Sequence, residues 1–593
     1  MIYIHCAHAT PERAPLAYGL LLAYAKSKLA EEIFDLNLRI IESPSDIERF
    51  FVSGAQNILL CSNYIWNVDV HLAISKEAKN IDKNCITIHG GPSTPWFPDV
   101  CKEFLLAHRH VDFVARGEGE ELLVELLQSI CDNTHTHKTI YGISKILNGE
   151  VIHYPNRAPI KDVNTIPSPY LTGVFDSLDT LRWDLTLMET NRGCMYSCSF
   201  CDWIRSKLRI FDINRVKAEM EWVGKCKHKT LFYIDANFGI LKRDIEIAQS
   251  VCDTKAKYGF PQHLELCYAK NTKQQLLDIV SLVADAGLVG RGIIAVQSWD
   301  QDTLDAVQRS NIETEEIKKL ANAFVQKGLP LYYNVMLGLP GATTKSFKAD
   351  LRYFFDQPGT VGIHHTVMTP NAPMSNPSYI RKYGLKADKD GFVEATSTMS
   401  EQEMKEMKSL TSFYNAVHPF QFNLLQYMLL YLRYDCGYDV VEILHKLGND
   451  LSIKNDYPLL TLIAEDNSPW RVANTVKIFV ALSNGNSWDS LHREFFTWAQ
   501  KNLRICDAVA FEQAMFAQAA VMPAVNRVYP YTVGLSHDVT AWHRDILNSC
   551  SKQLGYYTAA EFVVTEPTLP YPKPTRDHVE AQLCWSPIRK FKN

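Results

Sequence analysis

Apolar and polar positions alternate in a pattern that marks residues 1 to about 130 as a separate N-terminal region. Short apolar runs alternate there with helical stretches: the runs are IYIH (2–5), EIFDL (32–36), NILLC (57–61), CITIH (85–89) and VDFVA (111–115), and helices are expected from Leu16 and from Gly119. This alternation predicts a doubly wound α/β sheet. Ligands of such sheets bind outside the carboxyl ends of the strands, so the loops at those ends are candidate sites.

A second α/β series begins near residue 183, after a proline-rich connector at 153–170 that has little periodicity. Six apolar runs follow, each separated from the next by a helix-like interval: LTLMET (185–190), TLFYID (230–235), HLELCYA (263–269), RGIIAVQS (291–298), LYYNVMLG (331–338) and GIHHTVMT (362–369). Six consecutive βα units predict a parallel partial barrel of the (β/α)6 kind.

From about residue 400 the apolar period becomes helical. Helices are expected at 403–417, 423–434, 470–483 and 510–522, followed by an irregular proline-rich tail at 565–578. We therefore predict four parts of the chain. They are an α/β domain at 1–150, a linker at 151–182, the partial barrel at 183–390, and a mostly helical domain at 391–593 that closes over the barrel and shapes a substrate pocket.

Composition narrows the possible partners. The chain has 593 residues, 46% of them hydrophobic, and a formal net charge of −5 at pH 7, so we expect no extended nucleic-acid surface. The apolar stretch at 16–25 is too short to span a bilayer, and Pro11, Glu12 and Arg13 do not resemble a secretory n-region. We therefore expect a cytoplasmic protein without a membrane partner. Fifteen cysteines, an odd count, fit reduced thiols plus a metal site better than a disulfide framework.

The sequence NRGCMYSCSFCDW (191–203) carries the strongest chemical signal. It places Cys194, Cys198 and Cys201 at CxxxCxxC spacing on the loop after the first barrel strand, where barrel folds build active sites. Three thiolates can bind three irons of a four-iron four-sulfur (4Fe-4S) cluster and leave the fourth iron open to an exogenous ligand. A structural zinc site would require four ligands, commonly in CxxC pairs, and the sequence has no second pair nearby.

These residues resemble the radical S-adenosylmethionine (SAM) superfamily, whose members carry CxxxCxxC with an aromatic residue before the last cysteine, here Phe200. The resemblance implies that SAM chelates the open iron. It also implies that an electron from a reductant such as flavodoxin or ferredoxin cleaves SAM to methionine and a 5′-deoxyadenosyl radical. The segments at 233–238, 295–311 and 334–347 resemble the second, fourth and fifth strand segments of this family.

The resemblance assigns SAM contacts to residues at the ends of these strands. Polar side chains can bind the ribose, ammonium or carboxylate of SAM, and glycine lets the backbone approach it. The predicted contacts are Phe200, Asp235, Asn237, Glu265, Gln297, Ser298, Asn334 and Gly338. A strand-capping role stays equally open for each polar residue taken alone, as does an ion pair for Asp235 and Glu265.

The N-terminal region resembles the cobalamin-binding domain that precedes many radical SAM domains. The likeness rests on 7–28, SNYIWN (62–67), IHGGPST (88–94), the segment 111–127 and the connector IPSPYLTGVFD (166–176). The Asp-x-His-x-x-Gly motif that ligates cobalt in methionine synthase-like proteins is absent, so the resemblance implies cobalamin bound without histidine ligation. The loop with Tyr64 and Trp66 would then face the lower side of the metal, unless Trp66 packs in the core. The predicted cobalamin contacts are Leu16, Tyr18, Gly19, Ser62, Asn63, Tyr64, Trp66, Gly90, Gly91, Pro92, Ser93, Gly117, Glu118, Gly119 and Glu120.

Together the two resemblances imply a cobalamin-dependent radical SAM methyltransferase. Such an enzyme methylates a carbon centre, or less often a phosphorus centre, of a peptide or small-molecule natural product by using methylcobalamin and SAM. His364 and His365, at the end of the last barrel strand, are weak candidates for a catalytic acid or base, with a packed or exposed histidine as the alternative.

Three other functions stay open from the sequence. A related enzyme can catalyse a rearrangement or cyclisation without methyl transfer. A methylthiotransferase would hold a second cluster in the N-terminal domain, where Cys6, Cys61 and Cys85 lie near strand ends. A cobalamin- or cluster-based sensor would need an output module, and the helical C-terminal region has neither a helix-turn-helix pattern nor a basic face.

Overall fold

The computed structural model describes residues 1–203, 206–268, 274–288, 292–311, 313–327, 331–418, 422–450, 456–465, 473–485, 487–523 and 527–564. The chain divides into two compact units. The first comprises Met1–Ile293, Val307–Leu329 and Val367–Lys382, and the second comprises Ile294–Ala306, Pro330–Thr366 and Tyr383–Asn593. Because the units interleave along the chain, the bounds of the four predicted parts remain predictions.

The first unit begins with an eight-stranded sheet in the order 2-1-4-5-6-7-8, in which β3 also pairs with β1. Its strands are β1 (Ile2–Ala7), β2 (Phe34–Asp35), β3 (Ile40–Ile41), β4 (Gln56–Ser62), β5 (Ile86–Gly90), β6 (Phe113–Ala115), β7 (Ile143–Leu147) and β8 (Glu150–His153). Pairs among the first six strands are parallel, and the last two strands add antiparallel. The helices of this part are Leu16–Lys26, Ile47–Phe50, Val68–Ile81, Pro98–Ala107 and Gly119–Cys131.

The parallel order confirms the predicted α/β sheet. Five consecutive residues of β4, Asn57–Cys61, are buried, as expected for a parallel strand whose two faces are both covered by helices. The hairpin β7–β8 was not predicted, because buried Ser144 and Lys145 interrupt its apolar alternation. Three loops at 62–67, 90–96 and 117–120 follow β4, β5 and β6, so the parallel arrangement places them at one edge of the sheet.

The first unit also contains three of the predicted barrel strands. Strands β9 (Thr186–Met188), β12 (Thr230–Phe238) and β13 (His263–Tyr268) form a parallel sheet in the order 13-12-9. Between β9 and β12, the short strands β10 (Asn191–Arg192) and β11 (Arg209–Ile210) pair antiparallel. The helices here are Ile213–Lys225, Asp244–Tyr258, Gln274–Asp285 and Thr314–Gln326, and the helix Pro377–Tyr383 lies at the end of this unit.

The other three barrel strands are β14 (Gly292–Gln297), β15 (Leu331–Leu337) and β16 (Thr360–His365), in the order 14-15-16. They belong to the second unit, which includes β14 from Ile294 onward. Two short antiparallel strands, β17 (Lys386–Ala387) and β18 (Val393–Ala395), follow. Helices accompany this sheet at Gln301–Ala306 and Thr344–Phe355. All six predicted barrel strands are therefore present; Ala269 and Arg291, at the ends of two of them, lie outside the described residues.

The C-terminal part of the second unit is helical, as predicted. Its helices are Glu401–Val417, Gln426–Tyr434, Val440–Asn449, Pro458–Ala464, Ala473–Gly485, Trp488–Asn502, Ala508–Val521 and Val539–Leu547. Trp488, Trp498 and Trp542 are fully buried among them. An antiparallel hairpin of β19 (Tyr531–Leu535) and β20 (Ala560–Val564) was not predicted. Residues 470–472 and the tail at 565–578 lie outside the described residues. Within the described parts, no helix is long and apolar enough to cross a membrane.

Candidate active site

The three cysteines lie between the two strands of the β10–β11 hairpin, on a loop whose described residues are 193–203 and 206–208. We call it the cysteine loop. Asn191 pairs with Ile210 and Arg192 with Arg209, so the hairpin fixes both ends of this loop. Gly193 adopts a φ of 104°, and a Cβ there would stand 2.5 Å from Ser206 Oγ. Only glycine lets the two ends of the loop approach this closely.

Asp235, within β12, anchors the strand that leads into the cysteine loop. Its carboxylate accepts hydrogen bonds from Thr190 N at 2.8 Å, Asn191 N at 3.2 Å, Asn191 Nδ2 at 2.9 Å and the Thr190 hydroxyl. Burial raises the pKa of Asp235 to about 7, and these donors offset that rise only in part. Its contact with SAM stays a prediction; the contacts observed are those of a residue that positions the cysteine loop.

The pKa of Asp235 predicts a pH effect on stability. Its folded pKa, raised to about 7, exceeds the value of roughly 3.9 for an unfolded aspartate, so the folded protein binds more protons between these values. The stability of the wild type relative to Asp235→Asn should therefore fall as the pH rises from about 4 to about 7 and then level off. Urea unfolding of the full chain at pH 5 and pH 8 measures this; an unchanged difference between the two proteins would contradict it.

Two hydrogen-bond donors face sulfur atoms of the predicted cluster ligands. Asn237 Nδ2 lies 3.3 Å from Cys194 Sγ, and Arg309 Nη1 lies 3.8 Å from Cys198 Sγ. Cys198 and Arg309 are both buried at 6% exposure, while Cys194 and Cys201 are half-buried. An amide and a buried guanidinium are thus placed to donate hydrogen bonds to the sulfurs of a bound cluster.

The donor set of the cysteine loop fits a cluster better than a single ion. Among the described residues, no three His, Cys, Asp or Glu side chains are arranged to hold one metal ion. Each thiolate of a cubane ligates a different iron, so the three sulfurs need not converge on one point. Hydrogen bonds to ligating sulfurs are also a normal means of tuning a cluster. The residues present therefore fit a 4Fe-4S cluster.

An ion-paired network joins the cysteine loop to the loop at 117–120. Arg192 lies 2.7 Å from Glu120, 2.9 Å from Glu189 and 3.8 Å from Glu118. Arg209, opposite Arg192 in the hairpin, contacts Glu118 at 2.7 Å. Glu118 and Glu120 were predicted to contact cobalamin, and their carboxylates instead bind arginines; a direct cobalamin contact for them stays a prediction.

In the second unit, Gln297 at the end of β14 has the geometry of a ligand-binding residue. Its φ of 69° lies in the left-handed region, and its buried Oε1 has no hydrogen-bond partner among the described residues. A strained backbone and an unpaired buried acceptor both cost free energy, and such features cluster at binding sites. The observations support the prediction that Gln297 contacts SAM.

Replacing Gln297 with glycine should separate stability from binding. Glycine adopts positive φ freely, so we expect the variant to gain about 1 kcal/mol of stability. Loss of the amide should lower SAM affinity roughly tenfold, which corresponds to about 1.4 kcal/mol. Lys227→Gly is the matched control, because exposed Lys227 has a φ of 60° in the first unit and should gain stability without changing affinity. Calorimetric titration with SAM and thermal melts measure both quantities; equal SAM affinities in the two variants would contradict the assignment.

Other candidate site residues of the second unit form hydrogen bonds with protein groups. Ser298 Oγ donates to Asp350 at 2.7 Å, and Trp299 N donates to the same carboxylate at 3.0 Å; burial raises the pKa of Asp350 to about 6. Asn334 Oδ1 lies 2.9 Å from His364 Nε2. Asp350 therefore fixes the turn after β14, and Asn334 of β15 and His364 of β16 form one polar pair on neighbouring strands.

The remaining candidates near the barrel strands differ in their surroundings. Burial lowers the pKa of His365 to about 4, so its neutral form prevails at neutral pH. Glu265 and Phe200 are half-buried, and Gly338 has a φ of 89°. Roles in SAM binding or catalysis for these four residues stay predictions.

Several residues predicted to contact cobalamin hold the N-terminal sheet together. Tyr18 donates its hydroxyl hydrogen to Ala7 O and accepts from Ser62 N at 2.7 Å. A Cβ at Gly19 would stand 2.3 Å from Phe175, and Gly119 packs against Leu21. Leu16 is buried, and Gly90 and Ser93 bond the backbone of Asn63. These residues shape the loops, and direct cobalamin contacts for them stay predictions.

Asn63 is the central polar residue beneath two of the loops. Its Oδ1 accepts from His71 Nδ1 at 3.1 Å, and its Nδ2 lies 3.0 Å from His89 Nδ1 and 3.2 Å from Thr94 Oγ1. Burial lowers the pKa of His71 to about 4. Asn63 thus orients two neutral histidines and links loop 62–67 to loop 90–96.

The loops also present an exposed surface that a flat ligand can use. Tyr64 and Trp66 stack at 4.7 Å between ring centroids, and Arg13 lies 5.9 Å above the Trp66 ring. Trp66 is 58% exposed, so the prediction that it packs in the core is wrong. Gly91 has a φ of 91°, and a Cβ at Gly117 would meet no described atom within 4 Å. An exposed aromatic stack beside glycine turns fits a large planar cofactor.

Comparison with known proteins identifies the barrel. Residues 188–354 match the family model of the radical SAM superfamily. This part of the chain is therefore a radical SAM domain. Members of the radical SAM superfamily use a 4Fe-4S cluster and SAM, so these two predicted cofactors are confirmed.

Two relatives extend the similarity beyond the barrel. The chain is 32% identical over 403 residues to the cobalamin-dependent radical SAM methyltransferase TokK of Streptomyces tokunonensis. It is 33% identical over 416 residues to 2-(S-pantetheinyl)-carbapenam-3-carboxylate methyltransferase of Streptantibioticus cattleyicolor. Each match covers 65% of this chain and 58% of the relative, so the chain spans less than two thirds of their length. The predicted resemblance to cobalamin-dependent radical SAM enzymes is thereby confirmed.

A solved structure confirms the fold class. The cobalamin-dependent SAM radical enzyme OxsB, solved with aqua-cobalamin bound, superposes with a TM-score of 0.55 at 15% identity, covering 88% of this chain and 84% of OxsB. At this identity the likeness concerns the fold alone. The predicted order of a Rossmann-like domain, a (β/α)6 partial barrel and a helical C-terminal domain agrees with it.

The basic residues of the site were not predicted from the sequence. Arg309 belongs to an Arg-x-Asn sequence that formed part of the resemblance, and its Nε donates to Asn311 at 2.9 Å. Arg192 directly precedes the glycine of the cysteine loop, so its position could have marked it. Arg209 carries no local signal, because its partner Glu118 is 91 residues away in the sequence.

Proposed function

We propose that the protein is a cobalamin-dependent radical SAM methyltransferase that methylates a carbon centre of a small-molecule natural product. The observation that carries the proposal is the junction between the cysteine loop and the loops of the N-terminal sheet. In the first unit, Arg192 and Arg209 bind Glu118 and Glu120 of the loop at 117–120. An N-terminal sheet joined in this way to the cysteine loop suits an enzyme that uses two cofactors at once.

Each part of the chain has a role in this proposal. Cys194, Cys198 and Cys201 would ligate the cluster, with Asn237 and Arg309 donating hydrogen bonds to two of the sulfurs. The loops at 62–67, 90–96 and 117–120 would hold cobalamin. When bound, cobalamin supplies a cobalt that accepts a methyl group from SAM and gives it to the substrate. The protein's own task is to hold these reactants in line and exclude water.

The relatives support the proposed substrate class. One relative is named for a carbapenam carboxylate bearing a pantetheinyl thioether. The helical C-terminal part would shape the substrate pocket. We therefore propose a small molecule with an unactivated carbon centre, with a peptide as the competing substrate.

Anaerobic reconstitution of the full chain with iron, sulfide and hydroxocobalamin tests the proposal. With SAM and a chemical reductant, we expect 5′-deoxyadenosine and S-adenosylhomocysteine, and a mass increase of one methyl group in a carbapenam thioether probe. Deoxyadenosine without S-adenosylhomocysteine would favour a rearrangement or cyclisation. Methylation of a peptide but not of the thioether probe would replace the proposed substrate class.

A second cluster, which a methylthiotransferase requires, receives no support from the N-terminal cysteines. Cys6, Cys61 and Cys85 are buried in the sheet, and burial raises the pKa of each thiol, that of Cys85 to about 12. Buried thiols of this kind are poor cluster ligands, because ligation requires the thiolate. Iron analysis separates the two cases: about four irons per chain supports one cluster, and about eight supports two.

A further inference from the structure

Residues 369–379, which we call the brace segment, form a compact turn in the first unit. Thr369 O accepts hydrogen bonds from Ala372 N at 3.2 Å and from Ser375 Oγ at 2.6 Å. A short 3-10 helix, Pro373–Ser375, follows, and Ala372 and Met374 are fully buried. Internal hydrogen bonds and buried side chains make this turn a rigid element.

One end of the brace segment binds the loop at 90–96. Asn371 Oδ1 accepts from Trp96 N at 2.8 Å, and its Nδ2 donates to Pro92 O at 2.6 Å and to Thr94 O at 2.8 Å. The amide of Asn371 thus uses its acceptor and both donor hydrogens on the backbone of one loop. No other side chain type of this length offers the same pattern.

The other end of the brace segment binds the cysteine loop. Met374 N donates to Ser199 O at 2.9 Å, and Tyr379 Oη lies 2.9 Å from Ser199 Oγ. Ser199 is fully buried and lies between Cys198 and Cys201, and its own amide donates to Val307 O at 2.9 Å. A short, rigid segment therefore contacts both the predicted cobalamin loop and the loop of the cluster ligands.

We propose that the brace segment sets the spacing between these two loops and that Asn371 is a positioning residue for methyl transfer. This inference rests on the proposed function, because it assigns a purpose to the distance between two cofactor sites. It needs no contact between Asn371 and either cofactor. Loop 90–96 is continuous with loop 62–67 through the hydrogen bonds of Asn63, so the brace segment acts on both loops.

Hydrogen–deuterium exchange of the full chain without added cofactors tests whether the brace segment couples the two loops. Asn371→Ala removes three hydrogen bonds, and we expect amide exchange in 90–97 to rise at least about fivefold. Exchange in 198–202, which Asn371 does not contact, should rise as well. Tyr379→Phe removes a contact with Ser199, so exchange should rise directly in 198–202. Exchange in 90–97, which the brace segment connects to that loop, should rise as well. Increases confined to the contacted loop in both variants would overturn the proposal.

The ratio of two products of SAM tests whether Asn371 is a positioning residue for methyl transfer. In the reconstituted enzyme without substrate, Asn371→Ala should lower the ratio of S-adenosylhomocysteine to 5′-deoxyadenosine about tenfold, because misplacement of reactants by about 1 Å has large kinetic effects. Iron and hydroxocobalamin contents should stay within twofold of the wild type. Asn156→Ala is the control, since Asn156 is exposed and lines the same surface cavity of about 650 Å³ beside Asn371.

The outcomes distinguish the two proposals. If the wild type forms no S-adenosylhomocysteine, the proposed function fails, and the exchange experiment still tests the brace segment. If the wild type forms it and Asn371→Ala keeps the same ratio, the positioning role fails while the proposed function stands. Loss of hydroxocobalamin in Asn371→Ala would make Asn371 a binding residue and would also overturn the positioning role.

Discussion

Replacing Cys198 with alanine should abolish the cluster and all reductive cleavage of SAM. Cys198 is the most deeply buried of the three cysteines, and Arg309 lies 3.8 Å from its sulfur, so solvent or a neighbouring side chain cannot easily replace the thiolate. We expect the iron content to fall from about four per chain to near zero after anaerobic reconstitution. Iron analysis, the visible spectrum and chromatography of 5′-deoxyadenosine measure the effect.

Two controls show whether Cys198→Ala loses the cluster specifically or unfolds. Cys226→Ala removes a half-buried cysteine of the same unit that lies outside the cysteine loop, and it should keep its iron. Hydroxocobalamin binding should persist in Cys198→Ala, because the cysteine loop and the loops of the N-terminal sheet are separate segments. Retention of a SAM-cleaving cluster in Cys198→Ala would refute the ligand assignment. Loss of hydroxocobalamin binding would argue against two separable cofactor sites.

Structural features that depend on residues close together in the sequence were predicted well. The six barrel strands have apolar runs that any parallel strand requires, and the CxxxCxxC spacing places its ligands within one loop. The parallel sheet at the N-terminus follows from the same alternation, so loops 62–67, 90–96 and 117–120 could be assigned to one edge. These features need only the local sequence and the rules of α/β topology.

Roles that depend on distant partners were not predictable in the same way. Asn63 and Glu120 lie on the expected loops, yet their side chains bind His71, His89 and Arg192. The partner of Glu120 is 72 residues away. A sequence pattern gives the position of a polar residue at a strand end, but only the tertiary structure decides whether its hydrogen-bonding capacity is left for a ligand.

Replacing Arg192 of β10 with methionine should markedly lower the stability of the first unit. Arg192 is 11% exposed, and it contacts Glu120, Glu189 and Glu118, which are 5%, 19% and 6% exposed. Methionine fills similar volume but leaves Glu120 and Glu189 without this partner. Breaking a buried ion pair from one side costs about 3 kcal/mol, because a desolvated charge remains.

An exposed arginine of the same unit provides the matched control for Arg192. Arg182 contacts Glu42 at 3.2 Å, but their side chains are 56% and 38% exposed, so Arg182→Met should cost at most about 0.5 kcal/mol. Urea unfolding of both variants, with hydrogen exchange at 119–121 and 190–192, measures the difference. Since Arg192 directly precedes Gly193 of the cysteine loop, Arg192→Met should also reconstitute less iron than Arg182→Met. Equal stabilities and iron contents in the two variants would show that the network does not hold the cysteine loop against the N-terminal sheet.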